Sequence, residues 1–244
     1  MQPSAYLDMA AVEETHWWFE GRRRVLAACI MQLGLGTDAK ILELGAGTGG
    51  NLRLLSRFGQ VTSVEMDETA RKIAASRHRG ADIRGGTLPY DLPLAEEKFD
   101  LVCMFDVLEH IEDDAAALLA ARAHMAPGGA LLITVPAYKA LFGPHDEELH
   151  HKRRYERREL REKLVNAGFR VEKLSFINAA LLPLAWVLRQ LDKMLRRPHA
   201  SGTAMPPAPL NALFTAIFGA EARILHHASL PFGLSLLALA RGGD

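Results

Sequence analysis

The chain has 244 residues, of which 49% are hydrophobic and 24% are charged, and this composition is typical of a globular protein with a full core. The formal net charge is +0, which argues against a nucleic-acid partner, and the two cysteines, Cys29 and Cys103, argue against a disulfide framework or a zinc cluster. With no signal peptide and no apolar run of the roughly 20 residues that span a bilayer, we expect a cytoplasmic protein.

Residues 1–35 predict a helical cap in front of the first strand. Its first part ends in an aromatic cluster, HWWF at 16–19, which would either plug one end of the sheet or form a lid over the site. The arginine triplet at 22–24 follows, and we expect it to form a solvated face. An amphipathic helix then leads to the first strand.

Residues 39–67 predict a strand, a glycine turn, a helix and a second strand. The apolar run 41–44 breaks at Gly45, after which helical spacing begins, and the next apolar run ends at Glu65. In a doubly wound sheet the tips of these two strands are neighbours, and the crevice above them binds a nucleotide-like ligand. Glu65 can accept hydrogen bonds from both ribose hydroxyls, while an anion at Glu43 suits a cationic ligand and repels a pyrophosphate.

Further strands are predicted along the rest of the chain, and Asp106 stands at the tip of the fourth. They cover residues 81–86, 99–105, 130–136, 169–177 and 234–241. Because helical patterns alternate with these runs, the sequence predicts an α/β fold with a doubly wound, Rossmann-like sheet.

Three segments together resemble the successive motifs of class I S-adenosylmethionine-dependent methyltransferases. They are ELGAGTG at 43–49, FDLVCMFDVLEHI at 99–111 and APGGALLITVP at 126–136. The resemblance covers residues 39–177 plus the last strand. It implies a seven-stranded, mostly parallel sheet with an antiparallel last strand, and S-adenosylmethionine as the cofactor. An N-terminal helix that closes over the cofactor is usual in this class.

The resemblance also implies a set of cofactor-binding residues. Members of the class commonly place an acidic residue on the adenine amino group near the end of the third strand. This chain has Arg84-Gly85-Gly86-Thr87 there, so we assign that contact to Thr87 or to a backbone group. The implied set is Glu43, Gly45, Ala46, Gly47, Gly49, Glu65, Met66, Thr87, Leu88, Asp106 and Val107.

The segment 143–155 follows the fifth strand and should overhang the crevice where the acceptor binds. Methyl transfer needs a base only when the acceptor must lose a proton, and histidine supplies one near neutral pH. The candidate catalytic residues are His145, Asp146, His150, His151 and Tyr155. We favour His150 or His151 as the base, with Asp146 orienting a histidine. The alternative is that the segment only fixes the loop by hydrogen bonds and ion pairs.

Metal and nucleic-acid chemistry are both disfavoured. The Asp-Val-Leu-Glu-His segment at 106–110 resembles the carboxylate-x-x-Glu-His of ubiquinone-pathway O-methyltransferases, which bind a divalent cation there. The Leu-Glu-His part also occurs in metal-free relatives, and we expect no metal. No Asn/Asp-Pro-Pro-aromatic segment follows the fourth strand and no Pro-Cys nucleophile is present, so a nucleic-acid substrate is not expected.

Residues 178–232 form an insert between the last two strands, too long for a structureless loop. It predicts two apolar helices around a proline-rich hinge, the first carrying four basic residues at 189–197. Such an insert is either a helical cap or dimer contact, or a surface that meets anionic lipid.

The methyltransferase domain would then comprise 1–177 and 233–244, in a monomer or homodimer at the cytoplasmic membrane face or free in the cytoplasm. It would methylate an oxygen or nitrogen of a small, hydrophobic or lipid-like acceptor. The rival function is a module that binds the cofactor without turnover, or that docks a membrane or partner.

Overall fold

The structure is a computed structural model that describes residues 3–183 and 204–243, with side chains from residue 6 onward. Its strands are β1 (Lys40–Leu44), β2 (Gln60–Glu65), β3 (Asp82–Gly85), β4 (Phe99–Phe105), β5 (Met125–Pro136), β6 (Phe169–Ile177) and β7 (Ser235–Gly242). Its helices are α1 (Pro3–Val12), α2 (Trp17–Met31), α3 (Leu52–Leu55), α4 (Glu68–Arg77), α5 (Asp114–Ala123), α6 (Pro144–Glu148), α7 (Arg157–Asn166) and α8 (Ala208–His227).

The described strands form one seven-stranded sheet in the order β3-β2-β1-β4-β5-β7-β6. Strand β7 runs antiparallel to β5 and β6, and the other pairs of neighbours are parallel. The strand order reverses between β1 and β4, so a crevice opens there at the carboxyl ends of the strands. The predicted fold class is therefore confirmed, including the antiparallel last strand.

Hydrophobic cores lie on both faces of the sheet. Leu42 and Leu44 of β1 join the core that α5 and α7 cover, whereas Ile41 joins the core that α2 and α8 cover. Since both faces of β1 are covered, four of its five residues are buried, and three of these four are apolar. This rigid centre fixes the tips of β1, β2 and β4, on which the candidate site is built.

The aromatic cluster opens α2, rather than ending the first helix as the sequence suggested. His16 caps α2, because its Nδ1 accepts a hydrogen bond from the Trp18 backbone N–H at 3.3 Å. Trp17 packs edge-on against Phe214 and Phe218 of α8, with ring centroids 5.6 and 6.5 Å apart. Gly21 lets the two helices approach, since a Cβ there would lie 2.6 Å from Phe218. The second part of the insert thus covers the N-terminal cap.

The first predicted insert helix falls largely outside the described residues, as do its basic positions Arg189, Lys193, Arg196 and Arg197. The second predicted insert helix corresponds to α8. Within residues 3–183 and 204–243, no helix combines the length and the apolar character that crossing a bilayer requires.

Candidate active site

A cavity of about 1240 Å³ opens above the carboxyl ends of the central strands. One side of it, the turn side, is lined by the glycine turn and the tips of β2 and β3. Another side, the loop side, is lined by residues 140–154 and by Asn178 after β6. The helices α1 and α2 close over it through Tyr6, Met9 and the aromatic cluster. The aromatic residues therefore contact α8 and also border the cavity, so the plug and lid interpretations both describe part of their position.

The glycine turn needs its glycines for two different reasons. Gly45 and Gly47 have left-handed φ values of 78° and 54°, and a Cβ on Gly45 would also overlap Val107. Glu65 braces the turn, since its carboxylate accepts hydrogen bonds from the backbone N–H groups of Gly47 at 2.8 Å and Asp67 at 2.9 Å. Gly49 borders α4 rather than the cavity, and its lack of a side chain allows close packing on Ala74 of α4. Its implied cofactor contact is therefore corrected to a packing role.

Glu43 lies beneath the turn and not on the cavity wall, which corrects its implied direct contact. Its side chain is 1% exposed and accepts a hydrogen bond from Asn51 at 2.9 Å. Burial raises the pKa of Glu43 to about 7. It can therefore act on a ligand only at a distance, through the turn above it.

Arg22 occupies the cavity wall, contrary to the expected solvated face. Its guanidinium forms an ion pair with Asp106 and lies 4.4 Å from the centre of the Trp18 ring. Of its neighbours, Arg23 bonds the α1–α2 connection through the carbonyls of residues 13 and 14, and only Arg24 lies on the surface. A buried cation thus stands beside the tip of β4.

The rest of the turn side of the cavity contains the implied adenine and methionine contacts. Met66, Thr87, Leu88, Asp106 and Val107 all border the cavity, as do Gly45, Ala46, Gly47 and Glu65. Arg84 instead turns away and pairs with Asp82 and Glu97. Asp106 has a left-handed φ of 56° that directs the chain out of β4.

Tyr6 of α1 completes this side of the cavity. Burial and the charges of Glu65 and Asp67 raise the pKa of the Tyr6 hydroxyl to about 12. The hydroxyl therefore stays protonated and available as a donor at neutral pH.

His151 and Asp146 form a dyad on the opposite wall. The Nδ1 of His151 lies 2.8 Å from Oδ1 of Asp146, and the same oxygen accepts a hydrogen bond from Arg154 Nε at 2.8 Å. Although burial alone would raise it, the bonds from His151 and Arg154 lower the pKa of Asp146 to about 2. The permanently ionised Asp146 fixes the proton on Nδ1, which leaves the Nε2 lone pair of His151 as the basic site.

The other predicted catalytic residues fall into two groups. His145 and His150 border the cavity, and His150 is exposed with a left-handed φ of 59°. Tyr155 does not border it: the ring is fully buried, and its hydroxyl donates to Asp114 Oδ2 at 2.8 Å. Burial raises the pKa of Tyr155, so the group stays neutral. Its predicted catalytic role is corrected to a structural one between α5 and the 143–155 segment.

Glu109, His110 and His151 converge, with one ligand atom from each lying within 4.8 Å of the others. Glu109 is fully buried, and neither carboxylate oxygen has a hydrogen-bond partner in the described part of the chain. Burial lowers the pKa of His110 to about 4, so its imidazole is neutral and can bind metal. A carboxylate behind a ligating histidine, as Asp146 stands behind His151, is the usual support of metal sites. These residues fit a divalent cation. The expectation from the sequence that no metal binds here stays a prediction.

A family model described as a methyltransferase domain matches residues 18–174. The chain belongs to the class I S-adenosylmethionine-dependent methyltransferases. A probable S-adenosylmethionine-dependent methyltransferase of Mycolicibacterium smegmatis is 32% identical over 163 residues, which is 65% of this chain and 62% of that protein. Demethylmenaquinone methyltransferase of Tropheryma whipplei is 31% identical over 52% of this chain and 51% of its own length.

Among solved structures, Haemonchus contortus phosphoethanolamine N-methyltransferase 2 in complex with S-adenosyl-L-methionine shares the fold. Its TM-score is 0.59 at 16% identity, over 90% of this chain and 52% of the other. This chain spans 62% and 51% of the lengths of the two relatives named above. The cofactor of the family is S-adenosylmethionine.

Three polar residues of the cavity wall were missed by the sequence reasoning. For Arg22 a signal existed, since residues 18, 22, 25, 26 and 29 form one helical stripe and the others are apolar. Tyr6 carried no such signal, because only the fold brings α1 over Glu65. Asn178 carried no such signal either, since nothing in the sequence places it at the cavity.

Proposed function

We propose that this protein transfers the methyl group of S-adenosylmethionine to an oxygen or nitrogen of a small, hydrophobic acceptor. The observation that carries the proposal is the Asp146–His151 dyad on the wall of the cavity that also contains the glycine turn and Glu65. A base is useful there only if the acceptor carries a proton that must leave. The dyad therefore fits an acceptor whose attacking group loses a proton, such as a hydroxyl or an amine.

In the proposed reaction the glycine turn would hold the cofactor, Glu65 would accept hydrogen bonds from its ribose hydroxyls, and Thr87 and Leu88 would border its adenine. The acceptor atom attacks the methyl carbon, and the bond between that carbon and the sulfonium sulfur breaks. The electron pair stays on sulfur, which leaves as S-adenosylhomocysteine. The acceptor proton passes to Nε2 of His151, while Nδ1–H keeps its hydrogen bond to Asp146.

Two features support a hydrophobic acceptor. The cavity is larger than one nucleoside cofactor requires, and its loop side carries apolar side chains such as Leu141, Phe142 and Leu149. The T. whipplei relative is named for a quinone substrate, which is a hydrophobic ring compound. We extend the proposal to a lipid-like acceptor taken from a membrane surface, with 178–232 as the contacting insert.

The proposal is tested by measuring S-adenosylhomocysteine release with a panel of phenols, hydroquinones and aromatic amines. Methylation of one hydroxyl or amine probe, with the product identified by mass spectrometry, is the expected result. If the protein binds S-adenosylmethionine but methylates none of these probes, the rival function of a binding module without turnover is favoured.

A divalent cation on Glu109, His110 and His151 would supply Lewis-acid activation of an acceptor oxygen. In that case His151 would bind metal rather than accept the proton. Without a cation, burial and the charge of Asp106 raise the pKa of Glu109 well above its usual range, which favours the protonated carboxyl. Dialysis against a chelator, with metal analysis before and after, separates these cases. We expect turnover to survive the dialysis. If turnover is lost and one cation restores it, a metal-assisted mechanism replaces the base mechanism.

A further inference from the structure

Asn178 borders the cavity on the β6 side of the sheet, whereas the glycine turn follows β1. It directly follows β6, and its neighbours on the cavity wall are Leu234 and Ser235 at the start of β7 and Pro136 at the end of β5. The registers Ile177–Ser235 and Pro136–Ser235 bring these three strand ends side by side. Asn178 therefore belongs to the loop side of the cavity, and β4, β5 and β7 separate its strand from β1, which the glycine turn follows.

The side chain of Asn178 is polar, buried and without a partner. The residue is 1% exposed, and neither its carboxamide nitrogen nor its oxygen makes a hydrogen bond in the described part of the chain. Its backbone, in contrast, is fully bonded: the N–H donates to Glu221 at 2.7 Å and the carbonyl accepts from Leu234 at 3.3 Å. Buried polar groups are nearly always bonded, so an exception on a cavity wall requires an explanation.

The position is held firmly rather than left loose. Glu221 of α8 accepts hydrogen bonds from three successive backbone N–H groups, those of residues 178, 179 and 180. The φ of Asn178 is 57°, a left-handed value that asparagine tolerates better than most residues. The insert helix α8 thus fixes a turn that carries the unpaired Asn178 carboxamide.

The sheet order sets how far this amide lies from the reacting groups. Asn178 and Asp106 follow β6 and β4, which are separated by three strand-to-strand steps through β5 and β7. At roughly 4.8 Å a step this is about 14 Å across the top of the sheet. After the reach of a side chain at each end, the space between suits an acceptor about two aromatic rings long.

We propose that Asn178 is a specificity-determining residue that hydrogen-bonds a polar group at the end of the acceptor remote from the methylated atom. The inference rests on the proposed methyl transfer and names the acceptor class: an elongated apolar molecule with a hydroxyl or carbonyl at its far end. A carboxamide can donate to a carbonyl and accept from a hydroxyl, so either group satisfies it. The amide is enclosed in this structure, so the proposal includes a rotation of the side chain about its Cα–Cβ bond that brings the amide to the ligand.

The test compares the binding of 4-hydroxybiphenyl and 4,4′-dihydroxybiphenyl to the protein saturated with S-adenosylhomocysteine. The two probes differ only in the far hydroxyl. We expect the diol to bind roughly tenfold more tightly, the effect of one hydrogen bond to a buried amide. In Asn178→Gly, which keeps the left-handed backbone, that tenfold preference should disappear while the affinity for S-adenosylhomocysteine is unchanged. Calorimetric titration measures all four complexes.

Ser235→Ala is the matched control, since Ser235 borders the same part of the cavity and should leave the preference intact. If Asn178→Gly unfolds, Asn178→Asp is tested instead, with 4-acetyl-4′-hydroxybiphenyl as the probe. Because a carboxylate cannot donate a hydrogen bond to the ketone, this variant should bind the probe more weakly than the unmodified protein does. Equal binding of the two biphenyls to the unmodified protein, binding of neither, or a preference that survives in the variants overturns the proposal. Because the readout is binding, a failed methyl transfer remains distinguishable from a failed role of Asn178.

Discussion

The cavity has two sides that are built in different ways. The turn side, which comprises residues 45–50 and the tips of β2 and β3, consists mainly of backbone held between parallel strands, with Glu65 as its brace. The loop side, which comprises 140–154 and the residues after β6, consists of polar side chains that orient one another. A ligand on the turn side meets a surface set by the sheet. A ligand on the loop side meets individual functional groups.

Because the two sides are built differently, we expect each to control a different property of the enzyme. Changes on the turn side should alter cofactor affinity, because in the proposed reaction its groups position the nucleoside and do not move a proton. Changes on the loop side should alter turnover or acceptor preference and leave cofactor affinity intact. Measuring cofactor affinity and turnover for the same variant therefore tests whether the two sides have separate roles.

The largest expected effect is on the loop side. His151→Gln should lower turnover by roughly 100- to 10,000-fold, because it removes the base, while the affinity for S-adenosylhomocysteine stays nearly unchanged. Steady-state kinetics and calorimetric titration provide the two measurements. His150→Gln is the matched control, since His150 borders the same cavity outside the dyad and should cost far less. A loss of folding stability that parallels the loss of turnover would instead support a purely structural segment.

The next effect belongs to the turn side. Glu65→Ala should weaken S-adenosylhomocysteine binding by about 2–4 kcal/mol, since two ribose hydrogen bonds to a charged acceptor are lost together with the brace on Gly47. Glu65→Gln keeps one acceptor oxygen and should lose less. Titration with each ligand measures these affinities, and NAD serves as the competitor nucleotide. NAD binding more tightly than S-adenosylhomocysteine would contradict the cofactor assignment.

The sequence predicted the turn side far better than the loop side, for a physical reason. An apolar run that stops at glycine, followed by helical spacing and an acid at the next strand tip, encodes local geometry that parallel strands then reproduce. The strand at 99–105 was placed at its observed bounds in the same way. Even so, Glu43 and Gly49 were assigned one layer too close to the ligand, because periodicity does not tell the cavity wall from the layer behind it.

The loop side depends on contacts between residues distant in sequence. Asp146 and Arg154 bracket His151 closely enough for the dyad to be anticipated, but Tyr155 turns into the core to reach Asp114, which no local pattern encodes. Asn178 acquires meaning only through Glu221 of α8 and the strand ends beside it. Side-chain networks of this kind become visible only once the fold is known.

A smaller effect concerns pH and the layer under the turn. Burial raises the pKa of Glu43 from 4.5 to about 7, so between these values the folded protein binds more protons than the unfolded chain. The free energy of unfolding should therefore fall as pH rises through this window, and the stabilising contribution is fully present only below it. Urea unfolding at pH 5 and pH 7.5 gives the difference in the free energy of unfolding between the two pH values. Glu43→Gln should reduce that difference by about 1–3 kcal/mol. An unchanged slope would show that Glu43 is not the titrating group.

The smallest expected effect tests whether the loop side receives its acceptor from a membrane. The predicted helix before the proline-rich hinge carries four basic residues, and each basic residue near an anionic surface contributes about 1 kcal/mol. Binding to phosphatidylserine vesicles in a sedimentation assay should therefore weaken with salt, and Arg196→Glu with Arg197→Glu should release the protein without changing S-adenosylhomocysteine affinity. Arg53→Glu with Arg57→Glu, an exposed pair beside α3 and remote in sequence from the insert, provides the charge-matched control. Indifference to vesicles of any composition would leave the insert as a cap, with Asn178 and Glu221 as its link to the acceptor.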